Sequence, residues 1–240
     1  MEISKEVCTG CGVCLPYCVV GAIAMDDGAA SIDLDGCVEC GSCIRNAPCP
    51  TQAFLQPRLQ WPRAVRQWFS DNLVPMPDHA TMGAGRGVIE VKTNDRTNYY
   101  KPGEVGFFIE MGRPGVSSSL RDVEEMVRAF AQRGYQLVDY NSLAPLVADW
   151  KTGKLKSEVL EERVLSATLE FRATLADVPE MIAVLREVER QVDTVFSVGV
   201  MCCADPPYTI PIMPILRDLG VPVRPNAKIN VGLGKPLAKG

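Results

Sequence analysis

Ten cysteines and a single histidine set the chemistry open to this 240-residue chain. Eight of the cysteines stand near the amino end: Cys8, Cys11, Cys14 and Cys18, then Cys37, Cys40, Cys43 and Cys49. Each group is a triplet at two-residue gaps trailed by a fourth cysteine, CTGCGVCLPYC and CVECGSCIRNAPCP. A tight C-x2-C-x2-C loop lets three thiolates converge on one centre while backbone amides point at its sulfurs. Two such triplets are the ligand set of a pair of cubane iron–sulfur clusters, with the fourth thiolate of each brought from elsewhere in the chain. Zinc is the competing occupant. Its sites present cysteines in separated pairs or with histidine, so the triplets speak against it. A disulfide scaffold fits worse, because MEISKEV is polar and acidic rather than an export signal and the cysteines crowd one quarter of the chain.

The pattern resembles bacterial-type ferredoxins with two [4Fe–4S] clusters, and the resemblance covers residues 1–56. In that family the trailing cysteine of each run ligates the other cluster. The resemblance therefore implies one cluster on Cys8, Cys11, Cys14 and Cys49, and a second on Cys37, Cys40, Cys43 and Cys18. There are two departures. Val19 follows Cys18 where the family has proline, although Pro50 does follow Cys49. The second run also has five residues, Ile44 to Pro48, before its last cysteine rather than three.

Composition bounds the rest. At 47% hydrophobic the chain can bury a core and is long enough for two domains. No apolar run approaches the length of a transmembrane helix, and reduced thiolate ligands fit the cytoplasm. The net charge of −4 gives no nucleic-acid footprint. Residues 1–56 hold seven acids against two bases, so the acidity is concentrated around the cysteines and suits a redox partner with a basic surface. With only His79, multi-histidine metal sites are excluded, and the Pro-rich setting of that residue reads as a solvated loop.

These ligands need elements to position them. Within residues 1–56, MDDGAASIDLDGC reads as a hairpin turning at Asp27-Gly28. Val7, Val13, Leu15, Val20, Ile23, Val38, Ile44 and Phe54 are the expected apolar lining. Residues 57–87 read as a linker with one short helix over 62–70 that docks through Trp61 and Trp68. Arg58, Arg63 and Arg66 on or near it offer a second reading, pairing with the acidic cluster domain. From 88 to 240 the pattern becomes α+β. Strands are expected at 88–93, 105–111, 135–140, 164–173 and 193–201, and helices at 119–133, 177–191 and 209–219, with an irregular stretch around 141–160 and an extended tail. FFIEM…RDVEEMVRAF echoes ATLEF…ADVPEMIAVL, and the order over 104–201 is that of the split βαβ (ferredoxin-like βαββαβ) arrangement, with both helices on one face.

Three further stretches have residue types that bind or react. Gly83, Gly85 and Gly87 with Arg86 form a glycine-rich loop whose amides suit an anion; a plain entry into the next strand is the alternative. GRPGVSSS sets Arg113 and Ser117 between a strand end and a helix start, where a carboxylate or phosphate could sit, although an ordinary helix cap uses the same residues. Cys202 and Cys203 end a strand, so their side chains are expected on opposite faces, one toward the core.

Three functions suit these features. The first is an electron-transfer protein or subunit that passes single electrons through two [4Fe–4S] clusters to a catalytic partner of an anaerobic oxidoreductase system, in a hetero-oligomeric complex. The second is a reductase acting on a small carboxylate or heterocycle. GRGVIEVKTNDRT…GEVGFFIEMGRPG…RDVE resembles segments of 6-hydroxynicotinate reductase-type proteins, and that resemblance implies such an enzyme or its accessory subunit. The third is a redox-linked, ligand-sensing module, a frequent use of split βαβ folds.

Overall fold

The computed structural model describes residues 1–74, 76, 100–112, 115–207 and 209–223. The expected strand at 88–93, the glycine-rich loop with Gly83, Gly85, Arg86 and Gly87, His79 and Arg113 lie outside the described residues.

The cysteine-rich segment is built from short elements. β1 (Glu2–Ile3) pairs antiparallel with β4 (Phe54–Leu55), which ties the start of the segment to its end. Between them β2 (Ile23–Asp26) and β3 (Ala29–Ile32) form the hairpin expected around Asp27-Gly28. Both turn residues take positive φ, 46° and 79°, as a two-residue turn matched to the strand twist requires. The short helix α1 (Ser42–Asn46) carries Cys43. Ile23 and Ala30 are buried with Cys14 and Cys43, and Leu15, Ile32, Ile44 and Phe54 pack around them. Val7 and Val13 are corrections: both are exposed, Val7 in a turn where its own amide and that of Cys8 donate to the Ser4 carbonyl.

Helix α2 (Ala64–Ser70) follows, within the expected 62–70. Val65 and Phe69 bury into the large core of the α+β unit, and Ser70 Oγ accepts a hydrogen bond from Leu165 N at 2.8 Å. The helix is therefore wedged between the cysteine-rich segment and the rest of the chain.

In the α+β unit β5 (Glu104–Met111) is the centre of a three-stranded antiparallel sheet. β6 (Ser118–Ser119) leads into α3 (Leu120–Gln132). A small hairpin of β7 (Val147–Asp149) and β8 (Lys154–Leu155) comes next, then β9 (Arg163–Val164), which pairs with β6. β10 (Ala167–Thr174), α4 (Val178–Val188), β11 (Phe196–Cys202) and α5 (Ile212–Asp218) complete the order. The sheet order is β10-β5-β11, with Leu169 and Val198 both facing Ile109. Alternate β5 residues Val105, Phe107, Ile109 and Met111 enter one core with α3 and α4, and Phe130 stacks on Phe171 at 4.3 Å. Tyr100, Phe108 and Met201 form a smaller cluster on the other face.

The expected strand at 135–140 is not formed. Gly134 ends α3 at φ 86°, and the next segment touches the sheet through one bridge, Leu137 to Phe171. The Asn141 side-chain amide takes the Thr168 carbonyl at 3.1 Å, in the place of a backbone donor. That substitution stops the ladder and lets the chain turn away. The expected strand over 164–173 is likewise split: Leu165 gives its N–H to Ser70, so β9 ends before β10 begins.

Candidate metal centre

The two cysteine runs repeat one backbone course. In the first triplet Gly10 and Gly12 are left-handed, φ 67° and 70°. The matching places in the second triplet are Glu39 and Gly41, at φ 57° and 67°. Three residues beyond each trailing cysteine the chain is left-handed again, at Gly21 and Gln52, φ 69° and 54°. One residue further, an amide donates back to the trailing sulfur: Ala22 N to Cys18 Sγ at 3.1 Å, and Ala53 N to Cys49 Sγ at 3.4 Å. Ala30 N of the hairpin donates to Cys8 Sγ at 3.4 Å. Such N–H···S bonds stabilise a thiolate and favour the reduced state of an iron–sulfur group.

The sulfurs fall into two quartets. Cys8, Cys11, Cys14 and Cys49 line one cavity of about 320 Å3, counting its open mouth, with Ile3 and Phe54 as apolar wall. Cys49 thus stands with the first triplet rather than with its own run. Burial pushes the Cys14 thiol above its usual range, a backbone hydrogen bond opposes this, and Cys8, Cys11 and Cys49 add to the rise. In the other quartet burial pushes Cys43 up to about 11, against a hydrogen bond from the Ile44 backbone, with Cys40, Cys37 and Cys18 adding to the rise. Burial also raises Cys37 and Cys40. Cys49 is lowered instead, first by the Ala53 amide. Cys49 thus acts on Cys14 of the first triplet, and Cys18 on Cys40 and Cys43 of the second.

Among the described residues, no three His, Cys, Asp or Glu side chains stand close enough to share a single metal ion. Zinc draws its four ligands to about 2.0–2.3 Å of one point. Four thiols around a cavity, with amides aimed at sulfur, fit a polynuclear group better.

Salt bridges hold the second quartet from outside. Arg63 donates from Nε and Nη2 to Glu39 Oε1 at 3.0 and 2.7 Å, and the Met1 amino group donates to Glu39 Oε2 at 2.6 Å. Arg45 bonds Asp71 at 2.7 Å and the Cys40 carbonyl at 2.5 Å. Arg66, 5% exposed, donates through Nη1 to the carbonyls of Leu34, Asp35 and Cys37 at 2.9, 2.9 and 2.7 Å, and through Nε to Glu162. Arg63 and Arg66 pair with the cysteine-rich segment, and Trp68 also docks against the main core, with exposed Trp61 6.1 Å from it. Sequence reasoning missed Glu39, Arg45, Asp71 and Glu162. Only Glu39 left a signal, a charged residue where the other triplet has glycine.

Among the described residues, the other candidates, Ser117, Cys202 and Cys203, have partners of their own away from the cysteine runs. Ser117 is left-handed at φ 71°; its Oγ accepts from Arg163 Nη2 at 3.2 Å and its carbonyl from Thr194 at 2.7 Å. Ser119 caps α3, accepting from Asp122 N at 3.0 Å. Ser119 therefore serves the helix cap, and Ser117 is taken up by Arg163 and Thr194. Cys202 packs against the main core, and Cys203 donates to the Tyr100 carbonyl at 3.4 Å, on the opposite side of the strand as expected. Glu170, buried, accepts phenolic hydrogen bonds from Tyr100 and Tyr140 on the face of the sheet away from α3 and α4.

Comparison with known proteins places the match on the cysteine-rich segment. Residues 1–69 match the family described as a 4Fe-4S dicluster domain. Ferredoxin-1 of Rhodobacter capsulatus is 48% identical over 40 residues, 17% of this chain and 62% of that protein. The ferredoxin-like protein in the vnf region of Azotobacter chroococcum mcd 1 is 37% identical over 62 residues, 24% of this chain and 92% of that protein. The chain thus spans about three-fifths of the length of the Rhodobacter relative. No solved structure matches. The resemblance to 6-hydroxynicotinate reductase-type proteins gains no support from these matches. A domain of this kind, with this arrangement of thiols, points to iron–sulfur electron transfer. Through its amino-terminal segment, this chain belongs to the 4Fe-4S dicluster ferredoxin family.

Proposed function

We propose that this chain carries two [4Fe–4S] clusters and passes single electrons to a catalytic partner in an anaerobic oxidoreductase system. One cluster is held by Cys8, Cys11, Cys14 and Cys49, the other by Cys18, Cys37, Cys40 and Cys43. The observation that carries this reading is Cys49 in the cavity of the first triplet, the crossed arrangement that two-cluster ferredoxins use. When bound, the clusters supply one-electron storage at low potential. The chain supplies thiolates, amide donors at Cys8, Cys18 and Cys49, and apolar cover from Ile3, Ile23 and Phe54.

Residues 1–56 form the cluster domain, 57–87 a linker clamped by α2, and 88–240 an α+β domain. The α+β domain is a split βαβ in which the fourth strand is reduced to the Leu137 bridge, next to β10. Its role is docking or assembly within a hetero-oligomeric complex. The acidic residues of the cluster domain steer a partner with a basic surface. Among the described residues no helix is long and apolar enough to cross a membrane, and reduced thiolates suit the cytoplasm.

The test is anaerobic analysis of the purified chain. We expect about eight irons and about eight acid-labile sulfides per chain and a low-temperature paramagnetic signal on reduction with dithionite. Stoichiometric zinc, or no signal, overturns the reading.

A further inference from the structure

The two quartets sit in different surroundings. At the first, Cys11 is exposed and the cavity opens outward. The hairpin packed against that loop carries the exposed acids Asp26 and Asp27, and Lys5 beside it is paired with Asp26 at 2.9 Å. At the second no thiol is exposed, and guanidinium groups reach the loop itself: Arg45 on the Cys40 carbonyl and Arg66 on the Cys37 carbonyl. Arg45 has Asp71 as counter-ion, whereas Glu39 is shared by Arg63 and the Met1 amino group, so that cluster keeps one positive charge in excess. Arg66 differs in where its counter-ion comes from. Glu162 belongs to the α+β unit, so a buried ion pair joins that unit to the loop of the second quartet. A second contact lies on the same side: the backbone at Gly115 approaches so closely that an added Cβ would stand 3.6 Å from the carbonyl oxygen of Val19, next to Cys18.

Glu162 is bonded at Nε while Nη1 is the atom on the loop, so the positive end of the pair is the end toward the second quartet. A positive end there stabilises an added electron and, by engaging three carbonyl oxygens, offsets the negative ends of those dipoles. Dipoles and charges of this kind tune the potential of an iron–sulfur group. We propose that Arg66 is a positioning residue that holds the reduction potential of the second quartet above that of the first. An electron accepted from a low-potential one-electron donor protein at the open first quartet then comes to rest at the second, beside the α+β unit, before it leaves to the catalytic partner. No bond is made or broken in that step. The inference rests on the proposed function, since it needs both quartets loaded.

The test is a potentiometric titration of the full chain followed by electron paramagnetic resonance. The two couples are assigned by repeating it in Cys11→Ala and Cys40→Ala, each of which removes one of them. In the wild type the second quartet should titrate at the higher potential. Arg66→Gln should move the second couple to more negative potential and leave the first in place. Glu162→Gln, which removes the counter-charge, should move the second couple to more positive potential. Arg66→Lys, which keeps the charge with fewer hydrogen bonds, should restore most of the wild-type value. A merely structural role would loosen the loop in all three variants and shift the couple in one direction, or cost the cluster outright. Shifts of the same sign in Arg66→Gln and Glu162→Gln, equal shifts in both couples, or a second couple unmoved by either variant overturns the inference. Should Arg66→Gln fail to fold, the sign in Glu162→Gln decides alone. Iron content separates the two levels: a wild-type chain with only one loaded quartet overturns the two-cluster reading and this inference with it, whereas two loaded quartets with charge-insensitive couples overturn only the role of Arg66.

Discussion

Gly10 and Glu39 hold the same place in the two cysteine triplets and the same left-handed conformation, at φ 67° and 57°. Glycine adopts it at no steric cost, whereas any other residue is strained by about 1–2 kcal/mol. Glu39 remains there because its carboxylate, 2% exposed, is held between the Met1 amino group and Arg63. Glu39→Ala keeps the strain and leaves the amino group buried without its partner. Breaking a buried pair by removing one side costs about 3–5 kcal/mol, and the partial exposure of Arg63 favours the lower end. We expect a lowered urea midpoint and weaker loading of the second quartet. An unchanged midpoint would show that the pair contributes nothing.

The glycines of the first triplet should separate close approach from conformation. A Cβ on Gly10 would lie 2.0 Å from the carbonyl oxygen of Gly28, so the hairpin would have to move off the loop. A Cβ on Gly12, at φ 70°, would meet nothing within 4 Å. Gly12→Ala is therefore expected to cost about 1 kcal/mol, the left-handed penalty alone, with iron content retained. Gly10→Ala should cost several times that and reduce iron at the first quartet. Thermal unfolding and iron analysis of the two variants check the contrast.

What the sequence revealed and what it hid divide along physical lines. Cysteine spacing is local and chemically specific, so the two triplets and the hairpin at Asp27-Gly28 could be read directly. The pattern of Leu120, Val123, Met126, Val127 and Phe130 likewise gave α3 to within a residue or so, because one buried stripe repeats along the helix. Long-range side-chain to backbone bonds leave no such period. Nothing near Asn141 announces that its amide will take the Thr168 carbonyl and end a strand. Nothing near Ser70 announces that it will split another at Leu165. Arg66 was visible as a base on a short helix, but its three carbonyls lie in a loop far back in the chain.

The short 3-10 turn Leu175–Asp177 that leads into α4 gives a pH dependence. Thr174 and Asp177 form a capping box: Asp177 Oδ2 accepts from Thr174 N at 2.8 Å and from Thr174 Oγ1 at 2.6 Å. The Thr174 side chain holds the Asp177 carboxyl below its usual range, helped by the Thr174 amide. A carboxyl lowered in the folded state adds stability that is present above its unfolded value near about 3.9 and is lost as the pH falls through the folded value. The group is mostly exposed, so screening keeps the contribution small. Thr174→Ala should cost about 1 kcal/mol at neutral pH, and the deficit should shrink in acid as Asp177 protonates in the wild type. Chemical denaturation at both pH values measures it. A deficit that grows in acid would contradict the sign.

The crossed use of the trailing cysteines makes a selective prediction. Cys49 lies in the cavity of Cys8, Cys11 and Cys14, although it belongs to the second run in sequence. Cys18 follows the first run but stands among the thiols that act on Cys40 and Cys43. Cys49→Ala should therefore spoil the cluster of the first triplet and spare that of the second, and Cys18→Ala should do the reverse. Each variant should retain about half of the iron and one paramagnetic signal. The signal that survives in Cys49→Ala should also survive in Cys11→Ala and vanish in Cys40→Ala. If Cys18→Ala instead removed the same signal as Cys11→Ala, each run would ligate its own cluster. The place of Cys49 in the cavity of the first triplet would then have to be explained without ligation.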